Sequence, residues 1–434
     1  MTPDEFRELG HLFVDWVADY RARVETLPVM SQVSPGGIRA QLPREPPARG
    51  SSLAGIVAEL DRIVVPGITH WNHPSFFAYF PSNTSLASVL ADIVISGLGA
   101  QAMSWQTSPA ATELEETMMD WLRQMLALDV GFSGVIHDTA STATLCALVC
   151  ARERTTAFGQ SRGGLQDGGA PLVVYASDQA HSSIEKAALL AGFGRENLRL
   201  LETDDDHALR VERLREAIAA DLARGLRPSA IVACVGTTAT TALDPLRAIA
   251  GVAREHGMWL HVDAAMAGNA MILPEARRHW DGVELADSLV LNPHKWLGVG
   301  FDYSAYYVRD PQHLIRVMST NPSYLRTAHD DEVKNLRDWG IPLGRRFRAL
   351  KLWFLLREQG VEGISARLRR DLANAVWLRE QVDAAPDWER MAPVPFQTVC
   401  IRHRCPGASE EELACHNLAI ARRIYESCRA YLTP

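Results

Sequence analysis

Residues 291–302 of the 434-residue chain, LNPHKWLGVGFD, decide the fold and pose a chemical problem. They place Lys295 shortly after SLVL, an apolar run that is typical of a buried strand. An ammonium group buried there without a partner would cost several kcal/mol. A lysine at this position must therefore reach solvent or have a chemical role, and the surrounding pattern helps to decide between the two.

On either side of this stretch, short apolar runs alternate with segments of helical length. The runs are GVIH, LVVYA, AIVACV, WLHV and SLVL. Strands that alternate with helices in this way predict an α/β fold with a mostly parallel central sheet, covered by helices on both faces. We expect residues 86–355 to form this large domain.

The two flanking regions have different patterns. Residues 1–85 contain an amphipathic helical pattern at 4–22 and a proline-rich joint at 41–52. They predict a helical arm with little core of its own, which would pack against a second subunit. Residues 356–434 predict a small C-terminal domain that is incomplete, because the chain stops at RAYLTP where further strands are expected.

Composition argues against several classes of protein. The formal net charge is −8 and no basic stripe is present, which argues against nucleic-acid binding. The first residues do not resemble a signal peptide, and no apolar run reaches the roughly 18 residues that would span a membrane. The seven cysteines include no CxxC pair. We therefore expect a cytoplasmic protein with reduced thiols and no metal site.

Polar residues collect at the predicted carboxyl ends of the strands. Asn292, His294 and Lys295 follow SLVL, and Asp263 ends the run that begins WLHV. The remaining strand ends supply Thr139, Ala140, Ser141, His181, Thr237 and Thr238. Each alone has an ordinary explanation as a cap, a turn residue or a core histidine. Ligands bind at this edge of an open α/β sheet, so their joint placement favours a binding site.

This set of side chains suits pyridoxal 5′-phosphate. The segment TAST at 139–142 opens a helix, and helix N-termini bind phosphate. Asp263 could hold a positive charge on a ring nitrogen, and a desolvated Lys295 could attack a carbonyl. His181 could stack on a flat ring. A Schiff-base lysine and an acidic partner for the pyridine nitrogen are typical of this cofactor, so Lys295 would be held as an imine.

Four motifs resemble those of the aromatic-L-amino-acid decarboxylase family, the group II pyridoxal-phosphate-dependent decarboxylases of fold type I. They are HWNHPSFFAYFPSN, HVDAAMAG, NPHKW and IPLGRRFRALKLWF, and the resemblance extends from about residue 5 to the last residue. HVDAA and NPHKW at this spacing are a highly specific combination. The resemblance implies a homodimer with its active site at the subunit interface.

The resemblance also implies roles for individual residues. Lys295 would carry the cofactor, Asp263 would keep its ring nitrogen protonated, and His181 would stack on the ring and transfer protons. Further cofactor contacts are implied for Ala265, Ala140, Ser141, Thr238, Asn292 and His294. A substrate pocket is implied at Trp71, Tyr79, Phe80, Pro81, Ser82 and Met103.

The implied activity is decarboxylation of an aromatic L-amino acid, of the tyrosine, DOPA, tryptophan or phenylalanine class, to the arylalkylamine and CO2. One departure leaves the outcome of the reaction open. The family usually has a tyrosine in a mobile loop, and the match through RDWGIPLGRR puts Leu336 there, whereas Tyr324 is a different position. In the family, phenylalanine at that position goes with aromatic acetaldehyde synthases, which consume O2 and release aldehyde, ammonia and peroxide. Leucine likewise lacks the phenol that would protonate the substrate carbanion.

Two more readings of the sequence stay open. The substrate could be an amino acid outside the aromatic class, or the chain could be a catalytically poor truncated homologue that still binds the cofactor. At Tyr303, where many members of the family have cysteine, we expect only a change in packing.

Overall fold

The computed structural model describes residues 1–80, 84–320 and 332–434. Its contacts divide the chain into two compact units. Unit 1 comprises Met1–Pro81 and His403–Pro434, and unit 2 comprises Ser82–Arg402. The domain boundaries expected from the sequence, after residues 85 and 355, stay predictions.

The helices alternate with the strands through most of unit 2. In chain order the helices are α1 Pro3–Arg23, α2 Ile56–Glu59, α3 Leu86–Leu98, α4 Pro109–Met125, α5 Ala140–Thr155, α6 Ser182–Leu190, α7 Val211–Ala223, α8 Leu246–Glu255, α9 Pro311–Met318, α10 Ala349–Ala384 and α11 Glu410–Glu426. The strands are β1 Ser133–His137, β2 Leu172–Ser177, β3 Leu198–Leu201, β4 Arg227–Cys234, β5 Trp259–Asp263, β6 Ser288–Leu291, β7 Ser304–Val308, β8 Trp388–Arg390 and β9 Ile401–His403.

Unit 2 is built on a sheet of strand order β1-β7-β6-β5-β4-β2-β3, and a separate pair joins β8 to β9. Each neighbouring pair from β6 to β3 is parallel, whereas β7 runs antiparallel to both β6 and β1. The predicted α/β class with a mostly parallel sheet is confirmed. Strands β3 and β7 were not predicted from the sequence. Strand β3 is a short edge strand in which Arg199 breaks the apolar run. Strand β7 follows β6 without an intervening helix.

The core of unit 2 explains why its strands are apolar throughout. Every residue of β5, β6 and β7 is buried. On one face, Ala143 and Cys146 of α5 pack in a cluster with Val232 of β4 and Tyr306 of β7. Burial of one large aliphatic side chain is worth about 1.5–3 kcal/mol. The covered sheet holds the strand ends, and the residues that follow them, in fixed positions.

Unit 1 joins the N-terminal segment to the last residues of the chain. The N–H of Val29 donates to the C=O of Cys428 at 3.2 Å, and the N–H of Phe77 donates to the C=O of Tyr431 at 2.8 Å. Helix α1 begins with a Thr2–Glu5 capping box and confirms the helix predicted at 4–22. None of its 21 residues is buried. Among the residues described, no helix has both the length and the apolar character needed to cross a membrane.

Candidate active site

Lys295 lies in the turn that follows β6, at the carboxyl end of the sheet. Its N–H donates to the C=O of Asn292 at 2.9 Å, and the N–H of Asn292 donates to the C=O of Ala265 at 2.8 Å, so the turn is tied to the end of β5. Lys295 itself is partly buried. Desolvation lowers the pKa of its amine, against the opposing charge of Asp263. The amine is therefore more readily neutral than that of a surface lysine.

Asp263 is the last residue of β5 and is 8% exposed. Its Oδ1 accepts a hydrogen bond from the N–H of Ala265 at 3.0 Å, which fixes the carboxylate at the strand end. The charge of Asp263 acts on Lys295 and also on His181. The structure thus brings together three ionisable groups that belong to three different strand ends.

His181 caps α6 after the end of β2. Its Nδ1 accepts the N–H of Ser183 at 3.1 Å and lies 2.8 Å from the hydroxyl of Ser183. Desolvation of the imidazole lowers its pKa, with opposing effects of Asp263, which raises the pKa, and Lys295, which lowers it further. The residue as a whole is exposed, so a substrate can reach the ring from solvent. Since Nδ1 accepts, the neutral ring carries its proton on Nε2.

The start of α5 offers a site for an anion. Thr139 is its N-cap, and the Thr139 hydroxyl accepts from the N–H of Thr142 at 3.4 Å. Ala140 and Ser141 are the first two helical residues, whose N–H groups have no partner within a helix. Ser141 is exposed and Ala140 is partly exposed. These amides and the helix dipole favour a bound phosphate.

Two buried polar side chains, those of Asn292 and His294, come just before Lys295 in the chain. Nδ1 of His294 accepts the N–H of Tyr303 at 3.0 Å, and burial lowers the pKa of His294 to about 4. The ring is therefore neutral near pH 7, with a proton on Nε2 to donate. Oδ1 of Asn292 accepts from the hydroxyl of Ser304, which orients its amide NH2 as a donor.

A tight turn after β4 carries Thr238. Gly236 in this turn has φ +85, and a Cβ there would lie 2.4 Å from the Cβ of Ala267. Glycine is thus required both by the backbone conformation and by the close approach. The turn leaves Thr238 exposed, while Thr237 is buried and bonds to Thr240 at 3.0 Å between hydroxyl oxygens.

Comparison with known proteins gives a consistent result across the chain. Residues 35–404 match the pyridoxal-dependent decarboxylase conserved domain. The chain belongs to the pyridoxal-dependent decarboxylase family. It is 43% identical to a phenylacetaldehyde synthase of Arabidopsis thaliana over 427 residues, which cover 96% of this chain and 86% of that protein. It is 41% identical to tyrosine decarboxylase 4 of Petroselinum crispum over 448 residues, covering 100% and 87%.

The fold of this decarboxylase family member also matches that of a solved structure. The crystal structure of Oryza sativa TDC with PLP and tryptamine superposes with a TM-score of 0.96 and 40% identity, over 99% of this chain and 91% of that one. Fold type I and the aromatic amino acid decarboxylase resemblance inferred from the motifs are both confirmed.

Pyridoxal phosphate is the cofactor of this family, and the donors at the strand ends fit it chemically. The group needs a neutral amine, an anionic partner for its ring nitrogen and donors for a dianionic phosphate. Lys295, whose amine pKa is lowered, and Asp263 would supply the first two, and the α5 N-terminus and His294 would supply the third. His181 and Ala265 would face the ring, and Ser141, Asn292 and Thr238 would surround its substituents.

The residues that the sequence assigned to a substrate pocket of the decarboxylase lie in different parts of the chain. In unit 1, Trp71 stacks on Tyr79 with ring centroids 5.8 Å apart, and the Tyr79 hydroxyl lies 3.0 Å from that of Tyr431. Trp71 and Tyr79 are 40% and 55% exposed, and Phe80 is partly buried. Met103 belongs to unit 2 and is partly buried. Pro81 and Ser82 lie outside the described residues.

The structure differs from the sequence expectation at Leu336. This residue was expected in a mobile loop, but it begins a short 3₁₀ turn, Leu336–Trp339, and is fully buried. It belongs to the same apolar cluster as Ala143 and Tyr306. A leucine side chain is stabilised by leaving water, whereas a phenol there would need a hydrogen-bond partner. Residues 321–331, which include Tyr324, lie outside the described residues.

Three positioning residues were missed by sequence reasoning. Ser183 orients His181, and Ser304 orients Asn292. The third is Tyr303, where only a packing change was expected: its side chain is fully buried, and its backbone N–H sets the orientation of His294. Ser183, two residues after His181, could have been found as a capping partner, but nothing in the sequence marks the other two.

Proposed function

We propose that this protein is an aromatic L-amino acid decarboxylase that converts a substrate of the tyrosine, DOPA, tryptophan or phenylalanine class to the arylalkylamine and CO2. The observation that carries the chemistry is the desolvated Lys295 amine within the field of the buried Asp263 carboxylate. The substrate class is supported by relatives named as tyrosine decarboxylases and tryptophan decarboxylases.

In the proposed mechanism each group has one task. Pyridoxal phosphate, when bound, supplies a protonated conjugated ring that accepts the electron pair left as CO2 departs. Asp263 would keep the ring nitrogen protonated through a charge-assisted hydrogen bond. Lys295 would hold the cofactor through its amine. His181, with a proton on Nε2, would bind the substrate and move a proton.

The phosphate contacts have a separate role. The N–H groups at the start of α5, with His294 and Asn292, would hold the phosphate of the cofactor. On the substrate side, we propose that apolar side chains, with Trp71, Tyr79 and Phe80 among them, contact the aromatic side chain of the substrate. An apolar slot favours an aromatic group over a carboxylate.

Replacement of Lys295 tests this function directly. Lys295→Ala should lose the yellow colour of covalently bound cofactor and nearly all CO2 release, while Lys186→Ala, a lysine exposed on α6, should keep both. Borohydride reduction and peptide mapping of the wild type should place the pyridoxyl label on Lys295. A label on another lysine, or full turnover by Lys295→Ala, would contradict the assignment. The product of each aromatic amino acid is identified by mass.

A second candidate is an aromatic acetaldehyde synthase. It is favoured by the absence of a phenol at Leu336 and by 43% identity to a phenylacetaldehyde synthase. This reaction would consume the amino acid, O2 and water, and release aldehyde, CO2, ammonia and H2O2. The two candidates differ in O2 uptake, so peroxide formed in proportion to CO2 with little amine would select the second.

A pair of substitutions isolates the role of the phenol. Leu336→Tyr and Leu336→Phe both place a six-membered ring in the same buried position, and only the first adds a hydroxyl. If a phenol at this position donates a proton to the substrate carbon, Leu336→Tyr should raise the ratio of amine to aldehyde at least severalfold over Leu336→Phe. Equal ratios in the two variants would remove position 336 from the mechanism.

We further propose that the protein is a cytoplasmic homodimer. The support for a dimer is α1, whose apolar residues Phe6 and Val14 are 60% and 43% exposed. A second subunit would cover this face. Light scattering should give twice the mass of one chain, and Phe6→Glu should reduce the dimer population. A monomeric wild type that binds cofactor and is active would contradict this proposal.

A further inference from the structure

Three potential metal ligands of unit 1 come together beside α11. His403, Cys405 and His416 each offer one ligand atom, and these atoms lie within 4.8 Å of one another. The two imidazoles are in contact, with Nε2 of His416 3.0 Å from Nδ1 of His403. All three residues are partly buried. Two ring nitrogens and a sulfur thus point to one small volume that water can reach.

The backbone of His403 is hydrogen-bonded to a side chain of α11. The N–H of His403, the last residue of β9, donates to Oδ1 of Asn417 at 2.8 Å. Its C=O accepts from Nδ2 of the same Asn417 at 3.0 Å. Because Asn417 directly follows His416, these two bonds fix the distance between the imidazole at the strand end and the imidazole on the helix.

Cys405 is positioned by a turn that leads into the same helix. The N–H of Ala408 donates to the C=O of Cys405 at 3.1 Å, and Gly407 has φ +84. Proline and a positive-φ glycine at the two central positions are the features of a type II turn. The next residue, Ser409, caps α11 through a capping box. The backbone that carries the thiol is therefore fixed by its own hydrogen bonds.

We propose that His403, Cys405 and His416 bind one zinc ion. Imidazole and thiolate are the ligands that zinc prefers, and three protein ligands leave the fourth tetrahedral position for water. At zinc distances of about 2.0–2.1 Å to nitrogen and about 2.3 Å to sulfur, the ligand atoms stand roughly 3.3–3.7 Å apart. The present atoms reach that geometry by movements of about 1 Å.

Binding of one zinc ion releases one proton. The thiol of Cys405 loses its proton to solvent and binds as thiolate. The two imidazoles stay neutral, and the one that donates in the pair moves its proton to its other ring nitrogen. The ion would then join β9, the following turn and α11, so that zinc stabilises unit 1 in proportion to the logarithm of its concentration.

A metal titration of the cofactor-loaded protein tests the site. Purified protein is treated with chelator, titrated with ZnCl2 by calorimetry, and its bound zinc is measured by mass spectrometry. Wild type should bind one equivalent, and Cys405→Ser and His416→Gln should each bind at least tenfold more weakly. Cys415→Ser is the matched control, because Cys415 is exposed and adjacent to His416 but is not in the cluster.

Cobalt gives a second readout that is independent of activity. Co²⁺ bound to the wild type or to Cys415→Ser should show a thiolate charge-transfer band in the near ultraviolet, and Cys405→Ser should not. Cys405→Ser exchanges one atom, so its cofactor absorbance and circular dichroism should match the wild type. The proposal would be overturned if the wild type bound no zinc. It would also be overturned if Cys405→Ser and His416→Gln each still bound one zinc ion as tightly as the wild type.

Discussion

At the scale of single residues, environment gives ordinary side chains their chemical character. Desolvation makes Lys295 more readily neutral, and burial lowers the pKa of His294 to about 4, so that its ring is neutral near pH 7. Asp263 supplies the charge that acts on both Lys295 and His181. The same residue types on the surface would have none of these properties, so the site depends on the strand ends that hold them.

Replacement of Asp263 measures how much its carboxylate, the proposed partner of the cofactor's ring nitrogen, contributes to kcat. A hydrogen bond to a charged group is worth about 1.5–3 kcal/mol, so Asp263→Asn should lower kcat by at least about tenfold. Asp263→Glu keeps the charge and should recover part of the lost rate. The measurement is steady-state kcat with the absorbance spectrum of the bound cofactor. Wild-type kcat in Asp263→Asn would show that this carboxylate is not the partner of the ring.

At the scale of elements, buried ion pairs connect helices to the sheet. Arg345, just before α10, pairs with Glu115 of α4 at 2.6 Å, and both side chains are 2% exposed. The same Glu115 oxygen accepts the N–H of Ile136 in β1 at 2.8 Å, and Arg345 donates to the C=O of Ile136 at 2.9 Å. Three segments of the chain therefore meet at one charge pair.

Neutralisation of one member of this pair should be strongly destabilising. Glu115→Gln leaves the buried Arg345 charge without its counter-ion, and we expect a loss of about 3–5 kcal/mol in the free energy of unfolding. The control is Glu275→Gln, since Glu275 pairs with Arg369 at the surface, where both side chains are about half exposed. That change should cost less than about 1 kcal/mol. Urea unfolding compares the two, and equal losses would mean that the buried pair has no special role.

Sequence patterns predicted elements well where one physical cue dominates. Apolar runs correctly predicted β1, β2, β4, β5 and β6, and the amphipathic pattern at 4–22 correctly predicted α1. Periodicity could not identify the reversed direction of β7, because its direction is set by pairing with β6 and β1. The burial of Leu336 and the meeting of His403 with His416 also depend on tertiary packing, which local spacing does not encode.

At the scale of the whole molecule, several buried groups titrate away from their ordinary values. Burial lowers the pKa of His137, His261 and His294 to about 4 each, and raises the pKa of Asp244 to about 6. Between about pH 4 and 6.5 the unfolded chain binds protons on these histidines while the folded chain does not. Asp244 has the opposite sign, since only its folded form holds a proton between its ordinary value of 3.8 and about 6.

The net uptake of protons on unfolding predicts that the folded state is less stable in acid. Three histidines against one aspartate leave a net of about two protons, each worth about 1.4 kcal/mol per pH unit. The free energy of unfolding should therefore fall as pH falls from about 6.5 towards about 4. Urea unfolding at several pH values gives the slope, and His261→Gln should reduce it by about one proton. A wild-type stability that stays constant or rises over this acid range would contradict the assignment.

The antiparallel pairing of Ser133 with Val308 has a consequence during synthesis. A chain emerging from the ribosome cannot bring β1 beside β7 until the whole stretch between them has been made. Such distant pairing is slow to form, and nascent protein with β1 exposed is vulnerable to aggregation. Binding of the cofactor at the strand ends would come after this closure, because the sheet that holds those ends is complete only then.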